Sequence, residues 1–593
     1  MLKRESVLCD LCVIGGGMAG LSAAISAARE GLNVVLMHER PVLGGNASSE
    51  IRMWICGARG EDNRETGIME EIALENLYRN PTKNFYVWDG VLYDFVMREK
   101  NITLLLNCTC MDAKTETGAF PHGRDRKILS VTGYQLTTQK FYDVEAKFFL
   151  DASGDSILQP LTGAEFRIGR EGADEFGECT STKQNDMMTM GMSCLIQGRE
   201  TDKPISYVAP EFSKPLDRTH FENRNPVLEN DSENFWYLEL GGDRDTIGDT
   251  EKLRHELMGL AAGTWDYIKN SGEFHADNWE LEFFGFLPGK RESRRMLGEY
   301  MLTQTDISAG RTFDDEVAFG GWPLDDHFPG GFYHRGVPNT NYLTPAPYSL
   351  PYRCLYSKNV DNLFFAGRNV SCTHMAMSST RVMATCALFG EAAGKAAAIA
   401  VREGCAPNDV YRTHIRKLQK LLLDEDCFLP SRTREIPIAC LKAEFTAGDE
   451  LRNGKDRPHR LYGDQDGRNI YRASLAEKIT YSFQRTHVKA VHIVFDSDLN
   501  RVTLPGSECE RTHLTRASVR LDSPVMTMPK TLVRSFRLLA GKDGAFKELV
   551  HVDNNRKRAY HIPVNEEFDS LILIPYSTWG DADKANIISF DFE

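Results

Sequence analysis

Three glycines and one acid set the first chemical possibility in this chain. Gly15, Gly17 and Gly20 stand at G-x-G-x-x-G spacing, behind the apolar run 7–14 and ahead of the small-residue run 21–29. That context reads as strand, turn and helix. In such a unit the first glycine permits the tight turn, the second lets a pyrophosphate approach the backbone, and the third lets helix and strand pack closely. The helix start offers unpaired N–H groups and a positive dipole end to phosphate. A second strand, 33–39, ends in Glu39, nineteen residues after Gly20. An acid there accepts hydrogen bonds from a ribose 2′-OH and repels a 2′-phosphate.

Basic residues gather further along. Lys290, Arg291, Arg294 and Arg295 crowd one short stretch. On a helix, their spacing would put the three arginines near one face. Such a run reads either as a solvated helix face or as a set in which Arg291 and Arg294 clamp a substrate carboxylate or organise nearby acids. Asp325-Asp326-His327 follows, and a loop before a small-residue helix carries His374 and Arg381. An imidazole with an ordinary pKa of about 6.5 moves protons or hydrogen-bonds a substrate oxygen; the alternative for His374 is a structural role. Cys9 and Cys12 form C-x-x-C inside the first strand, where packing is the default over redox or metal work. No G-x-S-x-G, zinc-spaced Cys/His set or Walker loop occurs, so the hard chemistry falls to a cofactor.

These residues need elements to position them. After Glu39 comes a loop with Arg40, Gly44, Gly45, Asn46, Ala47 and Ser48, then Arg52 and Trp54, which could reach a cofactor ring or a substrate. A helix start at 65–72, a helix over 90–100, a strand over 102–110 and a hairpin-like region over 111–144 precede a strand at 146–150. That strand runs into Asp151-Ala152-Ser153-Gly154-Asp155. Residues 186–350 lose the strand–helix rhythm and turn irregular and aromatic, as a substrate-binding insert would. A third short strand ends in Ala366-Gly367-Arg368, and helix follows to about 425. Beyond the Pro430–Pro437 stretch, alternation at 478–483, 491–495, 535–539, 570–574 and 586–592 implies short antiparallel strands in a sandwich. Tyr576 and Trp579 there could stack on a sugar or pack against a neighbour.

At 593 residues, with 41% hydrophobic and 26% charged residues, the chain suits two or three soluble domains. A net charge of −14 argues against a general nucleic-acid or anionic-membrane binder. No run reaches the ~18 apolar residues of a membrane helix, and no signal peptide precedes the first strand. Fourteen cysteines then read as reduced thiols of a cytoplasmic protein.

Taken together, the glycine motif, the acid followed by a Gly-Gly loop, the D-A-S-G-D strand end and the Ala366-Gly367-Arg368 strand end resemble FAD-dependent oxidoreductases. The likeness is to the fumarate-reductase/succinate-dehydrogenase flavoprotein type. The G-x-R-E-S-R-R run at 289–295 and the P-Y-R-C-L run at 351–355 resemble a bacterial subgroup of it. Over 438–593 the strand pattern resembles a galactose-binding-like jelly roll. The resemblance implies an α/β fold with a Rossmann-like FAD-binding domain of glutathione-reductase type, an inserted α+β substrate domain and a C-terminal all-β jelly-roll sandwich. The implied boundaries are 1–185 and 351–430 for FAD, 186–350 for substrate and 438–593 for the accessory sandwich. It further implies FAD contacts from Gly15, Gly17, Met18, Ala19, Gly20, Glu39, Arg40, Gly44, Gly45, Asn46, Ala47, Ser48 and Cys110. Ala152, Ser153, Gly154, Asp155, Gly367, Arg368, Val382 and Met383 complete that set. An acid usually stands where Arg368 stands, so a phosphate or carboxylate contact suits it better than a ribityl one. No histidine lies between 40 and 43, so FAD is expected to be non-covalent. The implied reaction is hydride transfer between flavin N5 and a small-molecule substrate, a carboxylate by family analogy, with His374, Arg381, Arg291 and His327 as catalytic candidates. A sugar or polyol is the alternative substrate, and a carbohydrate-binding or assembly protein with structural FAD the alternative function. An unidentified electron donor or acceptor and a homo-oligomer complete the expected partners.

Overall fold

β1, Lys3–Ile14, is the strand against which the first sheet is laid. In this computed structural model, residues 2–228, 234–459, 461, 469–501, 513–580 and 582–593 are described. They fall into two compact units. One comprises Met1–Ala58, Thr82–Leu418 and His513–Val525, the other Arg59–Pro81, Gln419–Thr512 and Met526–Glu593.

In the first unit, the inner half of β1 (Leu11, Cys12, Val13, Ile14) is buried. It pairs in parallel with β2, Val34–Met37, on one side. β3, Ile102–Leu105, extends that side. β4 (Cys108–Thr117), β5 (Arg126–Gln135) and β6 (Lys140–Asp151) supply the other half, in the order β3-β2-β1-β6-β5-β4. β6 is long enough to spend its first half on β5, antiparallel, and its last residues on the parallel strand Leu363–Phe365. The register brings five strand ends level: Ile14 lies opposite Met37 and Asp151, Met37 opposite Leu105, and Asp151 opposite Phe365. In open α/β sheets the crevice beyond the carboxyl ends of the strands is where ligands sit.

α1, Met18–Arg29, packs across the sheet beneath the Met383–Glu403 helix. The crossing is close because Gly390 and Gly394 face the backbone of α1: a side chain at either would run into the carbonyl of Ala19 or Ala23. At mean hydropathy 1.3 the Met383–Glu403 helix is long and apolar enough to cross a bilayer, yet 94% of that stretch is buried. Cys9 and Cys12 lie in β1, and burial pushes the Cys9 thiol up to about 12 and Cys12 well above its ordinary value.

The region 186–350 is more regular than its composition suggests. Its Thr250–Asn270 helix buries Leu253, Leu257, Leu260, Ala261, Trp265 and Ile268. That face packs with Met192, Ile196, Leu238 and Trp279 from short antiparallel strands and turns.

The second unit holds one seven-stranded antiparallel sheet. The expected strands 478–483 and 491–495 are one strand, Ile479–Phe495, interrupted by register shifts between Ser482 and Thr486 and between Val488 and Ala490. Bulges of this kind bend a strand without ending it. Alternate residues Ile479, Tyr481, Val491, Ile493, Phe495, Phe536, Leu538, Leu571 and Leu573 form the core. Leu74 and Leu77 of the Ile68–Arg79 helix join it.

Candidate functional site

The glycine turn sits at the end of β1. Gly15 adopts φ +103° and its bare face abuts the carbonyl of Ala152, so a side chain fails there on both counts. The Gly16 N–H donates to Nδ1 of His38 at 3.0 Å, and Nε2 of the same ring donates to the Val42 carbonyl at 3.0 Å. His38 is therefore a neutral tautomer clamping two loops together. Burial, with Arg40 nearby, brings its pKa down to about 3. The Gly44 N–H donates to the Gly16 carbonyl at 2.8 Å, and Gly17 pairs with Gly44. This zips the 44–48 loop, with its short 3-10 turn Gly45–Ala47, onto the glycine turn.

Gly17 is the open point of this cradle. A side chain there would meet only the Gly45 Cα, at 3.8 Å. α1 starts at the next residue with no side-chain cap, leaving its first N–H groups, those of Met18, Ala19 and Gly20, without helical partners. Ser48 Oγ is buried and makes no hydrogen bond among the described residues, and Glu39, half-exposed, stands two residues beyond β2. An open glycine face, an uncapped helix start and an unfilled buried hydroxyl fit a phosphate-bearing dinucleotide.

The second and third strand ends converge on the same place. Asp151 accepts from the Ser153 N–H at 3.0 Å and the Ser153 hydroxyl at 2.7 Å. Asp155 takes Lys290 Nζ at 2.7 Å, Arg368 Nη2 at 2.6 Å and Ser293 Oγ at 2.8 Å. Burial works to raise the Asp155 pKa, but Arg368 and Lys290 outweigh it and hold the carboxylate at about 2. Arg368 thus meets a carboxylate of its own chain and covers Gly154, while Gly367 lies against Ala19. Asn46 Nδ2 donates to the Lys290 carbonyl at 2.9 Å, and Arg40 reaches Glu50 at 3.4 Å. Val382 caps the Met383–Glu403 helix without a side-chain bond. In its first turn the Ala384 N–H donates to the Cys56 carbonyl at 3.0 Å, placing Cys56 beside this helix start. Trp54 stacks on His513 at 4.4 Å. Arg52 donates to Gln197 Oε1 at 2.9 Å. Cys110 faces the core with Met37 and Val131, its thiol raised to about 12 by burial.

The four catalytic candidates lie in two adjoining buried ionic clusters. Asp325 Oδ2 accepts from Arg381 at 3.0 Å and lies 3.4 Å from His327 Nε2. His327 Nδ1 meets Glu239 Oε2 at 2.6 Å, and Glu239 also lies 3.4 Å from Arg291. Arg291 further donates to Ser193 Oγ and the Trp236 carbonyl, both at 2.9 Å. On the adjoining side, His374 Nδ1 faces Glu292 at 2.8 Å and Nε2 faces Asp326 at 3.0 Å. Burial opposes ionisation of Glu239 and Asp325, yet their cationic neighbours keep both below the ordinary carboxylate range.

Two expectations need correction. The basic run at 290–295 is no helix: Gly289–Lys290 and Arg295–Met296 are short strands. Arg291 and Arg295 are buried rather than solvated. Arg295 pairs with Glu171 at 3.1 Å and lies 3.6 Å from Glu292. The arginines organise acids delivered by distant segments, which spacing along one segment could not reveal. His374 is not in a loop but opens the His374–Thr380 helix, capped by Thr373 Oγ1, which accepts the Ala376 N–H at 3.2 Å. Glu171, Glu239, Glu292, Asp325 and Asp326, absent from the sequence-derived site, complete the clusters. The signal for them was indirect: a buried arginine run demands buried acids.

In the second unit, the indole N–H of Trp579 is spent on the Asn555 carbonyl at 2.8 Å, and Arg534 lies over its ring at 4.9 Å. Tyr576 is partly exposed, with Arg537 over its ring.

A model of the FAD dependent oxidoreductase family matches residues 10–422. The 4-oxocyclohex-2-ene-1-carboxylate 5-dehydrogenase of Sinomonas cyclohexanicum is 32% identical over 94 residues, a stretch covering 15% of each chain. An E. coli quinol fumarate reductase structure aligns with 71% of this chain and 75% of its own at 12% identity and TM-score 0.27. The family 32 carbohydrate-binding module from Streptococcus pneumoniae EndoD aligns with 26% of this chain and 95% of its own, at 10% identity and TM-score 0.18.

Proposed function

This chain belongs to the FAD-dependent oxidoreductase family, and from that premise we propose that it moves a hydride between a small-molecule substrate and non-covalently held FAD. The observation that carries the reading is the cradle at Gly17, open above an uncapped helix start at the level ends of five parallel strands. In this reading Gly15, Gly17, Met18, Ala19 and Gly20 receive the pyrophosphate, and Glu39 receives the ribose. The 44–48 loop with Arg40, the 152–155 turn, Gly367-Arg368 and Val382-Met383 line the rest, with Cys110 behind the sheet edge. Residues 1–185 and 351–430 form the FAD-binding part, of glutathione-reductase type, 186–350 presents substrate, and 438–593 is a jelly-roll accessory domain. Bound FAD supplies a ring that takes or gives two electrons as hydride.

The chain's own residues do the remaining work. Arg381 keeps its Nε buried and without a hydrogen-bond partner among the described residues, while one Nη group holds Asp325. An unfilled guanidinium donor suits a substrate oxyanion, so a carboxylate is the first substrate class. The name of the Sinomonas cyclohexanicum relative points the same way. Arg291 and His327 act from behind, keeping Glu239 and Asp325 ionised so that Arg381 stays in place. A polyol substrate read through the C-terminal sheet has less support, since Arg534 lies over the Trp579 ring and Arg537 over the Tyr576 ring where a sugar would stack.

The test begins with the visible spectrum of the purified chain before and after acid denaturation. Flavin bands that leave the protein with acid are expected. Anaerobic bleaching by a panel of carboxylates and polyols then sorts the substrate class. A colourless protein that takes up no added FAD would overturn the reading.

A further inference from the structure

Both ring nitrogens of His374 face carboxylates at hydrogen-bonding distance, Glu292 at 2.8 Å and Asp326 at 3.0 Å. A neutral imidazole has one N–H and would leave one ring lone pair pointing at a carboxylate oxygen; only the doubly protonated ring satisfies both. The surroundings agree. Glu292 is fully buried, and its second oxygen lies 3.6 Å from Arg295. Its Oε2 also accepts the Met190 N–H at 2.9 Å, so the carboxylate is fixed in place. Glu171 accepts the His374 backbone N–H at 2.8 Å. Asp186, itself paired with Arg170, adds negative charge from a further segment, while His327 and Arg170 lie within electrostatic reach of Asp326. Burial alone would lower the His374 pKa, but Glu292 and Asp326 outweigh it and push it up to about 10.

Of the three groups, only Asp326 reaches solvent: its side chain is 22% exposed, against 0% for Glu292 and 2% for His374. Its Oδ1 is taken by His374, and Oδ2 carries no hydrogen bond among the described residues. The imidazole, with both N–H groups occupied, has nothing left to offer a substrate.

We propose that His374 is held as a fixed imidazolium by Glu292 and Asp326, and that Asp326 rather than the imidazole takes the substrate proton. The proposal rests on the oxidoreductase reading above. Written for a carbinol carbon, the O–H bond breaks toward Asp326 Oδ2, the C–H electron pair leaves as hydride to FAD, and the C=O bond forms. Asp326 is then the catalytic residue. Glu292 is a positioning residue, which keeps the charge on His374 and through it the orientation of Asp326.

The test is nitrogen NMR of the ring-labelled full chain across neutral to alkaline pH, with the His374 signal assigned by its loss in His374→Gln. An imidazolium signal persisting at about pH 8, well above the ordinary histidine range, is expected. Glu292→Gln should bring the titration back toward neutral pH, as should Asp326→Asn, which replaces a less buried group and guards against a folding failure of the first variant. Asp326→Asn should also retain FAD and lose about 100-fold or more in turnover. A wild-type ring that titrates in the ordinary range, or one unmoved by either substitution, would overturn the imidazolium. Unchanged turnover in Asp326→Asn would overturn the proton assignment. A wild-type chain that binds no flavin, or that no substrate bleaches, would remove the oxidoreductase reading and the role of Asp326 with it, while the ring signal still decides the state of His374.

Discussion

At the scale of single residues, the site is built from groups whose charge state is settled by one or two neighbours. His38 shows this at the cofactor cradle: as a neutral acceptor for the Gly16 N–H it holds the turn that presents Gly17. Replacing it with Phe leaves that buried N–H without a partner, at a cost of about 1–3 kcal/mol. We expect His38→Phe to lower the thermal midpoint and to release flavin during gel filtration. A variant that keeps both unchanged would show that the clamp is dispensable. The glycines and Glu39 were legible in the sequence because each answers a local backbone or hydrogen-bonding demand. Glu292 and Asp326 were not, because an acid acquires its meaning from the imidazole it meets, and His374 lies 82 positions from one and 48 from the other.

At the scale of elements, the cradle depends on how closely α1 can lie under the Met383–Glu403 helix. Gly390 lets the two backbones touch at Ala19, next to the open end of α1. Gly390→Ala inserts a methyl group where no space exists, an overpacking worth about 1–3 kcal/mol. Loss of flavin retention is expected together with a lower melting temperature. Gly90→Ala is the matched control, in the Phe85–Arg98 helix with no atom near the added group. It should be neutral or stabilising by up to about 1 kcal/mol. Equal damage from both would refute the argument from close approach. The small-residue character of the Met383–Glu403 helix was visible in the sequence, but not which glycine faces which carbonyl. The reading of 290–295 as a helix failed for a related reason. Charge spacing alone suits a helix, whereas Arg291 and Arg295 pair with buried acids of other segments, and of the three arginines only Arg295 lies in a strand.

At the scale of the whole molecule, buried histidines in the two units make stability fall on both sides of neutral pH. His492, in the second unit, is buried; among the described residues neither ring nitrogen makes a hydrogen bond, and Nε2 lies 3.8 Å from Asp456. Burial, with Arg434 nearby, keeps its pKa well below the ordinary value. Once unfolded it binds a proton below about pH 6.5, so the unfolded state gains protons there and stability drops as pH falls. His38 and His513, both lowered to about 3 by burial, act in the same direction in the first unit. His374 has the opposite sign. Its raised pKa contributes stability that is complete below about 6.5 and is lost as pH rises toward about 10. Calorimetry across this range should show a midpoint falling on both sides. His492→Leu should flatten the acid limb, and an unchanged limb would contradict the assignment. The cofactor-binding framework, the order of its three strand ends and the β-rich character of the last third were already readable in the residues, because these follow from backbone geometry and short-range periodicity. The folded chain alone reveals that the catalytic candidates sit in two adjoining ionic clusters, that Arg368 meets Asp155, and that residues 513–525 belong with the first unit and 59–81 with the second. Burial and charge pairing are properties of residues distant in sequence, and no local pattern records them.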